Sequence, residues 1–246
     1  MSNYTISIRP FGQHAILIEW PNIVDEAILE DILQFKTYLT KNFLFPEKWE
    51  IIPAYNSLTL VERNFPINFN VLKHNIMQWY SEKSAVEIKR EKNLWRLPVC
   101  YTTDFGIDIE EVATKVNKSV EEVIALHTSK SYTIYGIGFL PGFMYLGGLP
   151  TGLEVSRREV PRQKVIKGSV GLAGKQTGIY PQQSPGGWNI IGNCPVSMFE
   201  ATRENPIFVS VGDKVEFFSI ERAEYDLCVI ENQAGVYTIQ KIKIDA

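Results

Sequence analysis

Apolar and polar residues alternate from the start of the chain: Tyr4, Ile6 and Ile8 fall on one side of an extended segment, and the run His14–Trp20 (HAILIEW) predicts a second strand. The period then changes. Ile28, Ile32, Phe35 and Leu39 recur at i, i+4, i+7 and i+11, which places them on one helical face. Asn22 is the candidate cap of that helix, and Asp25 and Glu26 complement the positive end of its dipole. WEIIPAY and SLTLVE read as strands on either side of Asn56, a second helix is predicted over residues 70–82, and Val86 and Ile88 restore the alternation over residues 85–90. The order ββαββαβ describes an α+β sandwich. Its residues follow ordinary core logic, so none of them is assigned a catalytic role.

The charged stretch EIKREKN, Glu87–Asn93, carries no apolar periodicity beyond Ile88 and predicts a connection, so the first domain is drawn over residues 1–92 and the second over 93–246. After the strand LWRLPVCY two short helices are expected, each opening on an acceptor with glutamate three residues later: Asp108 with Glu111, and Ser119 with Glu122. From Ser131 onward short β-type runs alternate with Gly and Pro, the pattern of a closed all-β unit whose corners need positive φ, and a barrel is predicted. No fixed-period repeat or low-complexity tail interrupts the two domains.

With 246 residues, 45% of them hydrophobic and 22% charged, the chain can bury such cores. Its net charge of −3 lacks the basic footprint that binding a phosphate backbone needs, so nucleic acid is not an expected partner. The alternating N-terminus is unlike a signal peptide, and no run approaches the roughly 18 apolar residues that span a bilayer, so a cytoplasmic protein without membrane contact is expected. Cys100, Cys194 and Cys228 are widely spaced, as suits reduced thiols, and His14, His74 and His127 are too scattered for paired zinc ligands.

The glycines point to one region: 13 of the 17 fall between Gly136 and Gly192. Tight barrel turns account for some of them. Between them, however, Arg162, Lys175, Gln176, Thr177, Tyr180, Ser184 and Trp188 set hydrogen-bonding and aromatic groups among bare backbone amides, as a surface for an anionic or amide-bearing ligand requires. Common catalytic motifs do not fit. GLAGKQ has Ser169 where a phosphate-binding Walker loop needs its first glycine, and Gln176 where it needs Ser or Thr. Ser184 lacks the glycine spacing of a nucleophile elbow, and Pro185 after it has no backbone N–H for an oxyanion hole. Cys194 has no neighbouring histidine to lower its pKa, so a buried inert thiol is expected.

In this order, His127, GFLPGFMYLGGL (138–149), Pro161-Arg162, GSVGLAGKQTGIYP (168–181) and SPGGWNIIG (184–192) resemble the signature of the KipI family, the B subunits of 5-oxoprolinase. That family is also called allophanate hydrolase subunit 1 and is of the carboxyltransferase subdomain C and D type. The resemblance implies a ferredoxin-like N-terminal domain and a cyclophilin-like β-barrel C-terminal domain. It implies an ATP-dependent 5-oxoprolinase that opens 5-oxoproline to glutamate, with ATP as co-substrate of the assembled complex, a KipA-like partner and a third, LamB/YcsF-like partner. The KipI name carries a second function of another class, inhibition of a sensor histidine kinase through a binding face.

Within the enzyme reading, His127 is either an acid–base group or a partner of its helix's C-terminal dipole, and Arg162 orients a carboxylate or phosphate. Lys175 contacts the nucleotide, Gln176, Thr177 and Ser184 hydrogen-bond the substrate, and Tyr180 and Trp188 form an apolar wall. Two positions depart from the family pattern. Asn193 stands where relatives carry Arg, and Lys175 where Gly is common. Either Arg162 or Lys175 supplies the missing cation, or both positions face solvent and tolerate change.

Overall fold

The chain divides into two units, Met1–Glu91 and Lys92–Asp245, and the computed structural model describes residues 4–83 and 91–244. In the first unit, β1 (Ser7–Pro10) and β2 (Ala15–Glu19) precede α1 (Glu26–Asn42), β3 (Trp49–Ala54), β4 (Ser57–Glu62) and α2 (Phe69–Lys83). The strands form an antiparallel sheet in the order β1-β2-β4-β3. Ile28, Ile32, Phe35 and Leu39 are all buried and share one core with Ile16, Ile18, Leu58 and Leu60 of the sheet.

Asp25, not Asn22, caps α1: its carboxylate accepts the backbone N–H groups of Ala27 at 2.8 Å and Ile28 at 3.1 Å. A capping oxygen reaches only the first turn after its own residue, and Asn22 stands too early for that. Tyr4 and Ile6 precede β1 and pack against the core without joining the sheet. The strand expected over residues 85–90 lies outside the described residues.

The second unit opens with β5 (Lys92–Val99), α3 (Ile109–Lys115) and α4 (Val120–Thr128). It continues through β6 (Ser131–Ile137), β7 (Met144–Gly147), β8 (Arg162–Val165), β9 (Ser169–Ala173), β10 (Gln176–Ile179), β11 (Ser184–Gly186), β12 (Asn189–Asn193) and β13 (Lys214–Ser219), and ends with α5 (Arg222–Gln233) and β14 (Gln240–Ile244). Eight strands form one sheet in the order β12-β9-β10-β7-β6-β13-β5-β14, while β8 and β11 pair separately. The sheet returns on itself just beyond β5: Cys100 and Asn193 exchange backbone hydrogen bonds of 2.9 Å in both directions. β12 at one end is thereby joined to the end of β5, and β14 lies outside the ring.

Strands β9 and β12 are buried along their whole length, and the alternation of their side chains explains how. Val170, Leu172 and Ile191 point into the main core of the unit, whereas Ala173 and Ile190 belong to a second, smaller cluster with Phe143, Val165, Tyr180 and Trp188. Both faces of the sheet are covered at this place, so the usual polar half of a strand pattern is missing.

Two local readings of the sequence change. The Ser119–Glu122 capping box is present, with bonds of 3.2 and 2.7 Å, but Asp108 makes no capping bond to α3 because its carboxylate is engaged elsewhere. The region after Ser131 is also not purely β. Helix α5 buries none of its residues, so it shows no apolar stripe, and its boundary residue Glu221, whose N–H donates to Glu224 at 3.0 Å, is not a usual cap type.

At the C-terminal end of α4, His127 is fully buried in the second unit. Its Nδ1 is 2.7 Å from the Tyr101 hydroxyl and its Nε2 is 2.9 Å from Thr177 Oγ1, while the Tyr132 hydroxyl donates to its carbonyl at 2.7 Å. The ring also stacks on Phe217 at 4.7 Å. Burial lowers its pKa from 6.5 to about 3, so the folded chain refuses a proton that the unfolded chain accepts. The resulting stability is complete above pH 6.5 and is lost as pH falls from 6.5 toward 3, at about 1.4 kcal/mol per pH unit. Urea unfolding of wild type and His127→Gln at pH 7 and pH 5 should therefore diverge, the variant losing about 2 kcal/mol less on acidification. Parallel declines would show that His127 does not carry this term.

Candidate functional site

The smaller cluster borders an open cleft of about 280 Å³ lined by Phe139, Phe143, Tyr145, Tyr180, Trp188 and Arg157, among others. Phe143 is its hub. Its ring centroid lies 4.9 Å from Tyr145, 5.3 Å from Tyr180, 5.4 Å from Trp188 and 5.7 Å from Phe139, in steeply inclined or edge-to-face contacts. The glycine-rich sequence makes room for these rings. A Cβ on Gly178 would fall 2.7 Å from the Met144 carbonyl and 3.1 Å from the Trp188 ring, and one on Gly186 would fall 2.3 Å from the Tyr180 hydroxyl. Part of the glycine concentration is therefore a packing requirement of the aromatic wall, distinct from the turns.

The wall has one strained and one polar element. Phe139 adopts φ +70° and stands 65% exposed, a left-handed conformation uncommon for a bulky residue and concentrated at functional sites. Tyr180 accepts the backbone N–H of Trp188, and burial above all raises its pKa. The phenol thus stays protonated and its O–H remains a donor.

Arg157 reaches this cavity from the segment between Val155 and Pro161, and the residues on either side of it are fixed. Gly174 donates to the Val155 carbonyl at 2.7 Å, Asn189 Nδ2 donates to the Ser156 carbonyl at 2.9 Å, and the Arg158 N–H donates to the Gly187 carbonyl at 2.8 Å. The Arg158 side chain turns away to Asp108, at 3.0 Å, and Glu111, also at 3.0 Å. Arg157 itself is exposed, with its guanidinium 5.9 Å from the centre of the Trp188 ring.

Asp108 holds this arrangement together. Its carboxylate is 2% exposed, accepts the Ile190 N–H at 2.7 Å, and pairs with both Arg158 and Arg162. The Asp108 N–H in turn donates to the Ile190 carbonyl at 2.9 Å. Arg162, expected to orient a ligand carboxylate or phosphate, is thus engaged by a protein carboxylate.

The other sequence candidates separate into three groups. Tyr180 and Trp188 stand in the cavity wall. His127 and Thr177 hydrogen-bond each other in the core, a placement that removes both from the ligand surface. Lys175 and Gln176 lie on the β9–β10 hairpin, with Lys175 exposed at its tip and Gln176 paired with Ala173 and Gly147. Ser184 is 8% exposed and its hydroxyl donates to the Pro185 carbonyl at 3.0 Å. Cys194 is buried, which pushes its thiol up to about 12.

Asn193 does not face solvent. It is 1% exposed, donates to the Lys167 carbonyl at 2.9 Å and accepts the Tyr225 hydroxyl at 2.9 Å. Asn193 pairs with Ser169 at one end of β9, and Lys175 lies beyond Ala173 at the other, about 13 Å along the strand. Lys175 therefore cannot replace a cation at position 193.

The sequence does not single out Arg157, Phe139, Phe143 and Tyr145 as residues that line one cleft, nor the pairing of Asp108 with two arginines. The aromatic GFLPGFMY run was visible; the pairing of Asp108 with a segment some 50 residues away was not. Among the described residues no cluster of His, Cys, Asp or Glu could hold a metal ion, and no helix is long and apolar enough to cross a membrane. Asp108→Ala leaves two arginines facing an empty buried position and should cost about 3 kcal/mol in chemical denaturation. A loss below about 1 kcal/mol, the range of an exposed pair, would contradict the clamp.

Comparison with known proteins places these features in a family. Residues 6–209 match the model of the carboxyltransferase domain, subdomain C and D. The chain is 35% identical over 229 residues to the 5-oxoprolinase B subunit of Bacillus subtilis (strain 168), covering 89% of this chain and 94% of the relative. It is 39% identical over 206 residues to the 5-oxoprolinase B subunit of Escherichia coli O157:H7, covering 84% and 92%. The solved structure of Kluyveromyces lactis urea amidolyase matches with a TM-score of 0.82 over 98% of this chain and 16% of that larger one; at 17% identity this likeness concerns the fold. The match over residues 6–209 and the near full-length identity to two relatives show that the chain belongs to the carboxyltransferase domain, subdomain C and D family, beside the 5-oxoprolinase B subunits.

Proposed function

We propose that this chain is one subunit of an ATP-dependent lactam hydrolase that opens 5-oxoproline to glutamate, and that its aromatic pocket is its contribution to an active site shared with KipA-like and LamB/YcsF-like partners. The observation that carries the reading is the 35% identity to a protein named as the B subunit of 5-oxoprolinase, over 94% of that relative. The fold assignment that goes with it is a ferredoxin-like first unit and a cyclophilin-like second unit. The antiparallel β1-β2-β4-β3 sheet with two helices, and the ring closed at Cys100 and Asn193, support it.

The chemistry explains why ATP is needed. Resonance makes the lactam carbon a poor electrophile and its nitrogen a poor leaving group. Transfer of the γ-phosphoryl group to the amide oxygen, with release of ADP, makes the carbon open to water. Collapse of the adduct breaks the C–N bond and protonates the nitrogen, leaving an acyl phosphate that a second water converts to glutamate and phosphate. The pocket supplies flat apolar walls and the Tyr180 donor, a group suited to charge developing on an oxygen.

The candidate nucleophiles and acid–base groups considered from the sequence do not assemble around this pocket. His127 and Cys194 are buried in the main core, and the Ser184 hydroxyl is bonded to backbone. The purified chain alone should accordingly form no glutamate from 5-oxoproline and ATP, whereas the chain reconstituted with its partners should; turnover by the chain alone would refute a shared site. In the reconstituted complex, Tyr180→Phe should lower kcat/KM about tenfold or more, as loss of one good donor would. Gln176→Ala, outside the pocket, should change it by no more than about twofold. The reverse ranking would move the site to the β9–β10 hairpin.

A further inference from the structure

The aromatic pocket has a size and a charge that narrow what it accepts. At about 280 Å³ it sits at the lower edge of the roughly 300–1,000 Å³ usual for small-molecule sites, which suits one small ring. Phe139 and Tyr145, the accessible rings of the wall, offer faces and edges against which a flat ring packs, and the buried Phe143 holds both in place.

Its cation is Arg157. Among the described residues no carboxylate pairs with Arg157, whereas Arg158 and Arg162 both pair with Asp108, Arg162 through Nη2 alone with its buried Nη1 left without a hydrogen-bond partner. The backbone on both sides of Arg157 is pinned by hydrogen bonds to Asn189 and Gly187. A guanidinium displayed on a fixed backbone beside an aromatic pocket is preorganised for a planar anion that it can engage through two parallel N–H groups.

We infer that this pocket binds a small ring acid, with the planar ring against Phe139 and Tyr145 and the carboxylate on Arg157, which makes Arg157 and not Arg162 the residue that selects for the acid. The identity of the acid as 5-oxoproline rests on the function proposed above; the chemistry of the pocket does not.

Calorimetric titration of the intact chain with three probes tests this. They are 5-oxoproline, 2-pyrrolidinone (the same lactam without its carboxylate) and pyrrole-2-carboxylate (a flat ring acid without a lactam). Wild type should bind 5-oxoproline about tenfold or more tightly than 2-pyrrolidinone. Arg157→Gln should weaken 5-oxoproline about ten- to a hundredfold and leave 2-pyrrolidinone unchanged, with Arg157→Lys between wild type and Gln. Arg157 is exposed, and an unchanged melting temperature verifies that each variant is folded. Undiminished affinity for the ring acids in Arg157→Gln, or no binding of either acid to wild type, would overturn the inference. Arg157-dependent binding of pyrrole-2-carboxylate without binding of 5-oxoproline would uphold the pocket and remove the 5-oxoproline reading.

Discussion

The buried carboxylate of Asp108 is the constraint from which the geometry of the site follows. A charge 2% exposed must be met by donors, and Asp108 meets the Ile190 N–H and two arginines. These contacts tie the start of α3 to β12 and to the segment before β8. A second consequence is that Arg158 and Arg162 share a carboxylate, whereas among the described residues Arg157 pairs with none.

The glycines serve the same construction from the opposite side. Trp188 can approach Gly178 and Tyr180 can approach Gly186 so closely only because neither glycine puts a side chain in the way. The aromatic wall and the glycine-rich sequence are therefore one feature. Phe139, held at φ +70°, extends that wall toward solvent.

Much of the fold was legible in the sequence because it depends on periodicity. The spacing of Ile28, Ile32, Phe35 and Leu39 describes the buried face of α1 directly, and the Ser119–Glu122 box marks the start of α4. Features without a local signal were misread. Helix α5 buries nothing and so has no stripe to find. Asp108 has the form of a cap yet serves a tertiary contact, and His127 carries the chemistry of a proton shuttle but sits where desolvation keeps it neutral. At the site, Tyr180 and Trp188 were recognisable from their glycine context, whereas Arg157 is one of two adjacent arginines in a charged stretch. Only the partners of Arg158 distinguish them.

The account depends most on the division of labour between Arg157, which meets the ligand, and Arg158 and Arg162, which hold the scaffold. A crystal structure of the chain soaked with 5-oxoproline tests it directly. The account predicts the ring against Phe139 and Tyr145, its carboxylate paired with Arg157, and Arg158 and Arg162 still bound to Asp108. A carboxylate bound by Arg162 with Asp108 released, or a ligand seated on the β9–β10 hairpin with the pocket empty, would contradict it.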